Sequence, residues 1–123
     1  MAGSPFVHVE IPADDPTAAS KFYADVFGWE QHYESQVDYH MFNTGAGPGG
    51  GFVKTGDNMG QTTKPGNVLV YIGSQDIEAD LAKIEAHGGK TIQPKMEIPG
   101  NGWLAVFLDP TGNRIGLYQG LPQ

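Results

Sequence analysis

The chain has no cysteine. Disulfides, thiolate zinc sites and a cysteine nucleophile are therefore excluded. Long apolar runs are also missing, so no segment reads as a membrane helix. Residues 1–5 carry neither the basic region nor the apolar core of a secretion signal. Positive charge is scarce: seven Lys and Arg stand against fourteen Asp and Glu, a formal net charge of −7. Nucleic-acid-binding domains show the reverse, a basic face. Neither nucleic acid nor membrane is an expected partner, and the expected location is cytoplasmic. The chain has no dinucleotide-binding Gly-x-Gly-x-x-Gly word, no Walker loop and no Gly-x-Ser-x-Gly elbow. The Gly-Pro-Gly-Gly-Gly run at 47–51 follows no strand-to-helix pattern, so phosphate binding is not expected there.

What is present suits one sheet-rich domain. The 123 residues are 39% hydrophobic and 11% aromatic, enough for a core. Eighteen glycines and nine prolines indicate many turns. Two stretches of the chain read alike. Phe6 to Ile11 is a short strand followed by Asp15 and a helical run ending near Gly28. Val68 to Ile72 is another, followed by Asp76 and a helical run ending near Gly88. Aligning Val7 with Val68 also aligns Asp15 with Asp76. Asp15 reads as a helix cap with Pro16 at the first helical position. Ala19, Phe22, Tyr23, Val26 and Phe27 then form one apolar helical face. Ile77, Leu81 and Ile84 are the buried positions of the second helix.

Strands are expected near 30–34, 38–43 and 50–54, and again near 90–93, 102–108 and 113–118. Asp109-Pro110-Thr111-Gly112 is a turn. The fold class is α+β: two βαβββ modules, about 6–54 and 67–120, joined by a linker at about 55–66. Together they are expected to form a curled mixed eight-stranded sheet around a cavity, with helices outside.

That element order resembles the vicinal-oxygen-chelate superfamily of glyoxalases, bleomycin-resistance proteins and extradiol dioxygenases. Lys21-Phe22-Tyr23 and Phe27-Gly28-Trp29 are similar to the family's opening helix and its stop. Phe107 to Gln119 is similar to its closing hairpin. Enzymes of this family commonly hold a divalent metal on four ligands, from the first and last strand of each half. There it acts as a Lewis acid or activates oxygen. His8, fourteen residues before Phe22, matches the first ligand position. The other positions fall on Leu69, on Gly116 and within Gly49–Gly51, none of which supplies a donor side chain. A lone imidazole holds a divalent cation weakly, so no cofactor is expected.

His8 and Glu10 share one strand face and are the candidate catalytic pair. The candidate ligand-binding residues are His8, His40, Phe42, Leu69, Tyr71, Trp103, Phe107 and Tyr118, on the reading that their strand faces point inward. The missing side chains at Gly116 and Gly49–Gly51 leave room for a bulkier ligand. His87 ends a helix, where the dipole favours it, and His32 is expected in solvent.

The leading expectation is a protein that binds a small organic molecule without a complete metal site and pairs as a homodimer. The alternative is a metal-dependent glyoxalase-like lyase or dioxygenase, its ligands completed by other residues such as His40 or Glu10 or by a second chain. A metal-free isomerase or epimerase using His8 or Glu10 as base ranks third.

Overall fold

The computed structural model describes residues 3–58 and 61–122. Met59 and Gly60, within the expected linker, lie outside the described residues, as do both chain ends. The chain divides into two compact units. One is His8–Leu69; the other combines Met1–Val7 with Val70–Gln123.

The first unit is built on β1 (Phe6–Ala13), α1 (Pro16–Phe27), β2 (Glu30–Glu34), β3 (Tyr39–Asn43) and β4 (Gly49–Lys54). Its strands lie in the order β2-β3-β4-β1. β1 and β4 are parallel and the other neighbours antiparallel. Asp15 caps α1 by accepting from the Ala18 amide, and Gly28 ends the helix in the left-handed region at φ 73°. Ala13, Phe42 and Phe52 form the core, with Val9, Ile11, Ala19, Tyr23 and Trp29 packed against them.

The helical face is narrower than the sequence pattern implies. Ala19 and Tyr23 reach the core, and Ser20 is buried beside them. Phe22, Val26 and Phe27 stay more than half exposed. The stripe through Ala19, Ser20 and Tyr23 is the one that docks. The expected linker is also more ordered than a loop. It contains a two-stranded hairpin, β5 (Gly56–Asn58) and β6 (Gln61–Thr63).

The second unit carries β7 (Leu69–Gly73), α2 (Ile77–Ala86), β8 (Lys90–Ile98), β9 (Gly102–Leu108) and β10 (Arg114–Gln119). The strand order is β7-β10-β9-β8, with β7 and β10 parallel. It thus repeats the pattern of the first unit, and the eight strands of the expected mixed sheet are present, four from each βαβββ module. Asp76 caps α2 through the Ala79 amide. Ile77, Leu81, Ala105, Phe107 and Leu117 form its core. β8 is longer than expected and irregular, with register shifts around Gln93; Pro94 has no amide hydrogen and suits an edge strand. Asp109 holds the last turn by accepting from the amides of Thr111, Gly112 and Asn113. The Asn113 side-chain amide first, and then these backbone bonds, hold its carboxyl below the usual aspartate range. His87 closes α2, its Nδ1 2.8 Å from the Lys83 carbonyl.

Candidate ligand-binding site

In β1, Val9, Ile11 and Ala13 pack towards α1, so His8 and Glu10 project from the opposite sheet face. β3 behaves in the same way. Phe42 stacks on Trp29 at 4.4 Å between ring centroids and sits in the core. Tyr39 and Met41 therefore share the helix-free face. β4 lies between β3 and β1, and its residues on that face are Gly49, Gly51 and Val53, with glycine at the two places beside His8 and Glu10. Glycine is needed at 51: a β-carbon there would run into the ring of Tyr39. The bare strand lets the Tyr39 side chain cross β4 and reach β1.

On arrival the phenol meets both candidate residues. Its Oη lies 2.7 Å from His8 Nε2. It donates to Glu10 Oε2 at 2.9 Å. The imidazole and phenol rings are 5.9 Å apart, tilted by 36°. Burial pushes the His8 imidazole down to about 4, so it is neutral at pH 7. The site in this unit is a hydrogen-bonded row, His8–Tyr39–Glu10, in which Tyr39 is the member that sequence reasoning missed. The available signal was the glycine run on the strand next to His8; the Tyr39 side chain, from two strands away, fills the space above it.

The second unit repeats the device. Tyr71 is buried, and its ring covers Gly116, whose added β-carbon would stand 2.5 Å from Tyr71 Cδ2. Gly116 pairs with Tyr71 as Gly51 pairs with Glu10. Because Glu10 and Tyr71 are repeat counterparts, Gly51 is the counterpart of Gly116. This fixes the uncertain first-half ligand position on Gly51. Both glycines lie beneath tyrosine rings, so neither leaves the extra ligand room expected of it. Tyr118 shares the face of Gly116 and donates to the Asn101 carbonyl at 2.5 Å.

Other candidates sit elsewhere. His40 is on the α1 side, with Nε2 3.5 Å from Thr17 Oγ1. Phe42 belongs to the α1-side core. Phe107 and Trp103 pack with the α2 cluster, and Lys95 Nζ stands 4.8 Å over the Trp103 ring. The inward-facing reading of β3 and β9 thus had the wrong parity. The faces of Tyr39 with Met41, and of Leu104 with Val106, are the helix-free ones. Leu69 is buried and offers only hydrocarbon.

Three of the four family positions carry Leu69, Gly51 and Gly116, and the two glycines are covered by rings. Among the described residues no group of three or more His, Cys, Asp or Glu side chains is placed to hold a metal ion.

Two matching βαβββ units with a polar row on the helix-free face of one define a glyoxalase-type domain. The chain belongs to the Glyoxalase/Bleomycin resistance protein/Dioxygenase superfamily, whose family model matches residues 6–117. It is 27% identical to CFP32 of Mycobacterium tuberculosis, provisionally named a glyoxylase, over 90% of this chain and 44% of that protein. It is 24% identical to the anthracycline biosynthesis protein DnrV of Streptomyces peucetius, over 89% of this chain and 45% of that one. The chain therefore spans less than half the length of these relatives.

Among solved structures, methylmalonyl-CoA epimerase from Mycobacterium tuberculosis superposes with a TM-score of 0.73 at 14% identity, covering 99% of this chain and 93% of that one. A superfamily member from Vibrio splendidus gives 0.64 at 15%, covering 95% and 99%. These likenesses show the shared fold. No helix among the described residues is long and apolar enough to cross a membrane.

Proposed function

We propose that the chain binds a small organic molecule on the helix-free sheet face bearing His8, Tyr39 and Glu10, with no resident metal. The observation that carries this is the pair of glycines at family ligand positions, each beneath a tyrosine ring. A metal site needs three or four donors; here phenol rings occupy the space carboxylates would use. Relatives suggest what to screen: one is named for anthracycline biosynthesis, and solved neighbours include methylmalonyl-CoA epimerases. Anthracyclines and acyl-CoA thioesters are therefore the first ligand classes.

The test begins with elemental mass spectrometry. Tag-free protein is incubated with nickel, zinc, iron and manganese and then desalted. The expected result is no retained metal, together with a rise in Tm with one ligand class. One metal held per chain would replace this reading with a metal-dependent lyase or dioxygenase. A metal-free isomerase or epimerase, third in the reading of the sequence, moves up to second because of the hydrogen-bonded row with its neutral imidazole. Activity abolished in His8→Gln and unaffected by chelators would establish it.

Two further points belong to the same proposal. Relatives more than twice as long have room for two such domains, and this chain would match that content by pairing. Light scattering should then read twice the 13.2 kDa chain mass. The location is cytoplasmic, as suits a chain with no disulfide to maintain.

A further inference from the structure

The two helices are repeat counterparts, each starting from an aspartate cap, Asp15 and Asp76. Their outer faces differ. On α1, Ala18, Phe22 and Val26 recur at every fourth residue and form one exposed stripe along the helix. Phe22 is 55% exposed and Val26 57%. Counted from the caps, the counterparts of Phe22 and Val26 are Lys83 and His87, also exposed. The same place in the repeated fold is thus polar in one unit, as suits water, and apolar in the other.

One side of the stripe is flanked by Lys21 and Asp25, the charged residues of α1. They pair one helical turn apart, Nζ to Oδ2 at 2.5 Å, and both side chains are exposed. A chain of net charge −7 therefore presents a helix whose side chains carry no net charge around an apolar stripe. A twofold axis that packs α1 antiparallel on its copy sets each flank against the same flank of the other chain. Lys21 then faces the partner's Asp25, and Asp25 faces the partner's Lys21. The small Ala18 lies towards the partner's Val26, and Phe22 meets its own copy near the axis. The free sheet edges suit a copy less well. β2 carries Glu30 and Glu34, which antiparallel pairing about His32 sets against one another. β8 carries Pro94 and a break in register, both of which blunt an edge.

We infer that the α1 stripe of Ala18, Phe22 and Val26, with Lys21 and Asp25 beside it, is the surface through which two copies of this chain pair. The inference rests on the pairing proposed above and names its surface. Phe22 is the apolar anchor that supplies affinity. Exposed ion pairs contribute little energy and set partner and direction instead. The stripe is small beside the ~800 Å2 that a standard interface takes from each partner, so the dimer dissociates on dilution.

Sedimentation velocity on the full chain, over about a hundredfold range of concentration, tests it. The wild type should pass from monomer to dimer. Phe22→Gln should raise the dissociation constant roughly 30-fold, the loss of one interface anchor, with the circular dichroism spectrum unchanged. Lys21→Asp and Asp25→Lys should each weaken pairing, because each sets like charges against one another across the axis. Mixed in equal amounts, these two variants should form a heterodimer, although both chains remain acidic overall. An effect confined to the lost bond within the helix would leave the mixture no better associated than its components.

A wild type that stays monomeric at every concentration would overturn both the pairing and its surface. A dimer that withstands Phe22→Gln, or charge variants whose mixture fails to associate, would overturn the surface and leave the pairing standing. The two failures are therefore distinguishable.

Discussion

Gly51 acts by leaving space, and His8 acts by staying neutral. Adding one methyl group in Gly51→Ala places it inside the Tyr39 ring, which must leave. Tyr39 is only partly buried, so its displacement should cost about 1 kcal/mol, at the low end for overpacking. Loss of the Tyr39 bond to His8 should be the larger effect, visible in the imidazole resonances. Gly116→Ala should cost more, roughly 2–3 kcal/mol, because the buried Tyr71 ring has no solvent to turn into. Urea unfolding of the two variants measures the difference. The imidazole has its own signature. Its folded pKa is about 4 against an ordinary 6.5. The unfolded chain therefore binds the proton first, so the contribution of His8 to stability is fully present above pH 6.5. It is lost as pH falls to about 4, on the order of 3 kcal/mol across that window. His8→Gln should flatten that part of the stability–pH curve, and an unchanged slope would show that the imidazole is not the group responsible.

Elements were more legible than faces. The Asp15 cap, the helix stop at Gly28 and the Asp109 turn rest on local chemistry and formed where expected, and Asp76, the repeat counterpart of Asp15, caps α2 in the same way. Asp15→Ala and Asp76→Ala should each lower stability by about 1 kcal/mol, read from denaturation midpoints at constant slope. Ile77, the first residue of α2, is fully buried, so Ile77→Ala should cost about 2–5 kcal/mol in the same assay. The side of the sheet that each strand residue faces was harder to read. In β9 both faces are apolar and buried, Leu104 and Val106 on one side and Ala105 and Phe107 on the other. Without a polar face, alternation cannot say which side meets a helix. β3 has the same ambiguity, since Tyr39, His40, Met41 and Phe42 are all large, with no Asp, Glu, Lys or Arg among them. Tyr39 was missed for that reason. A side chain that crosses a neighbouring strand to act two strands away leaves no mark in local periodicity. The row needed tertiary register, Glu10 opposite Gly51, before it could be seen.

For the molecule as a whole, the repeat was legible because each half had to satisfy the same constraints independently: a cap, a stop and a parallel pair around a helix. The covered glycines carry a consequence for how such domains change over generations. Restoring a carboxylate at 51 or 116 while the tyrosine remains drives two groups into one space. Removing the tyrosine first opens a hole above the strand and, at 39, breaks the hydrogen bond to His8. Either order passes through a weaker intermediate, so the two positions in each half are held together by mutual dependence. A carboxylate at either glycine therefore needs the tyrosine above it replaced as well. Single-substitution libraries aimed at metal chemistry should find nothing here that paired substitutions would reach.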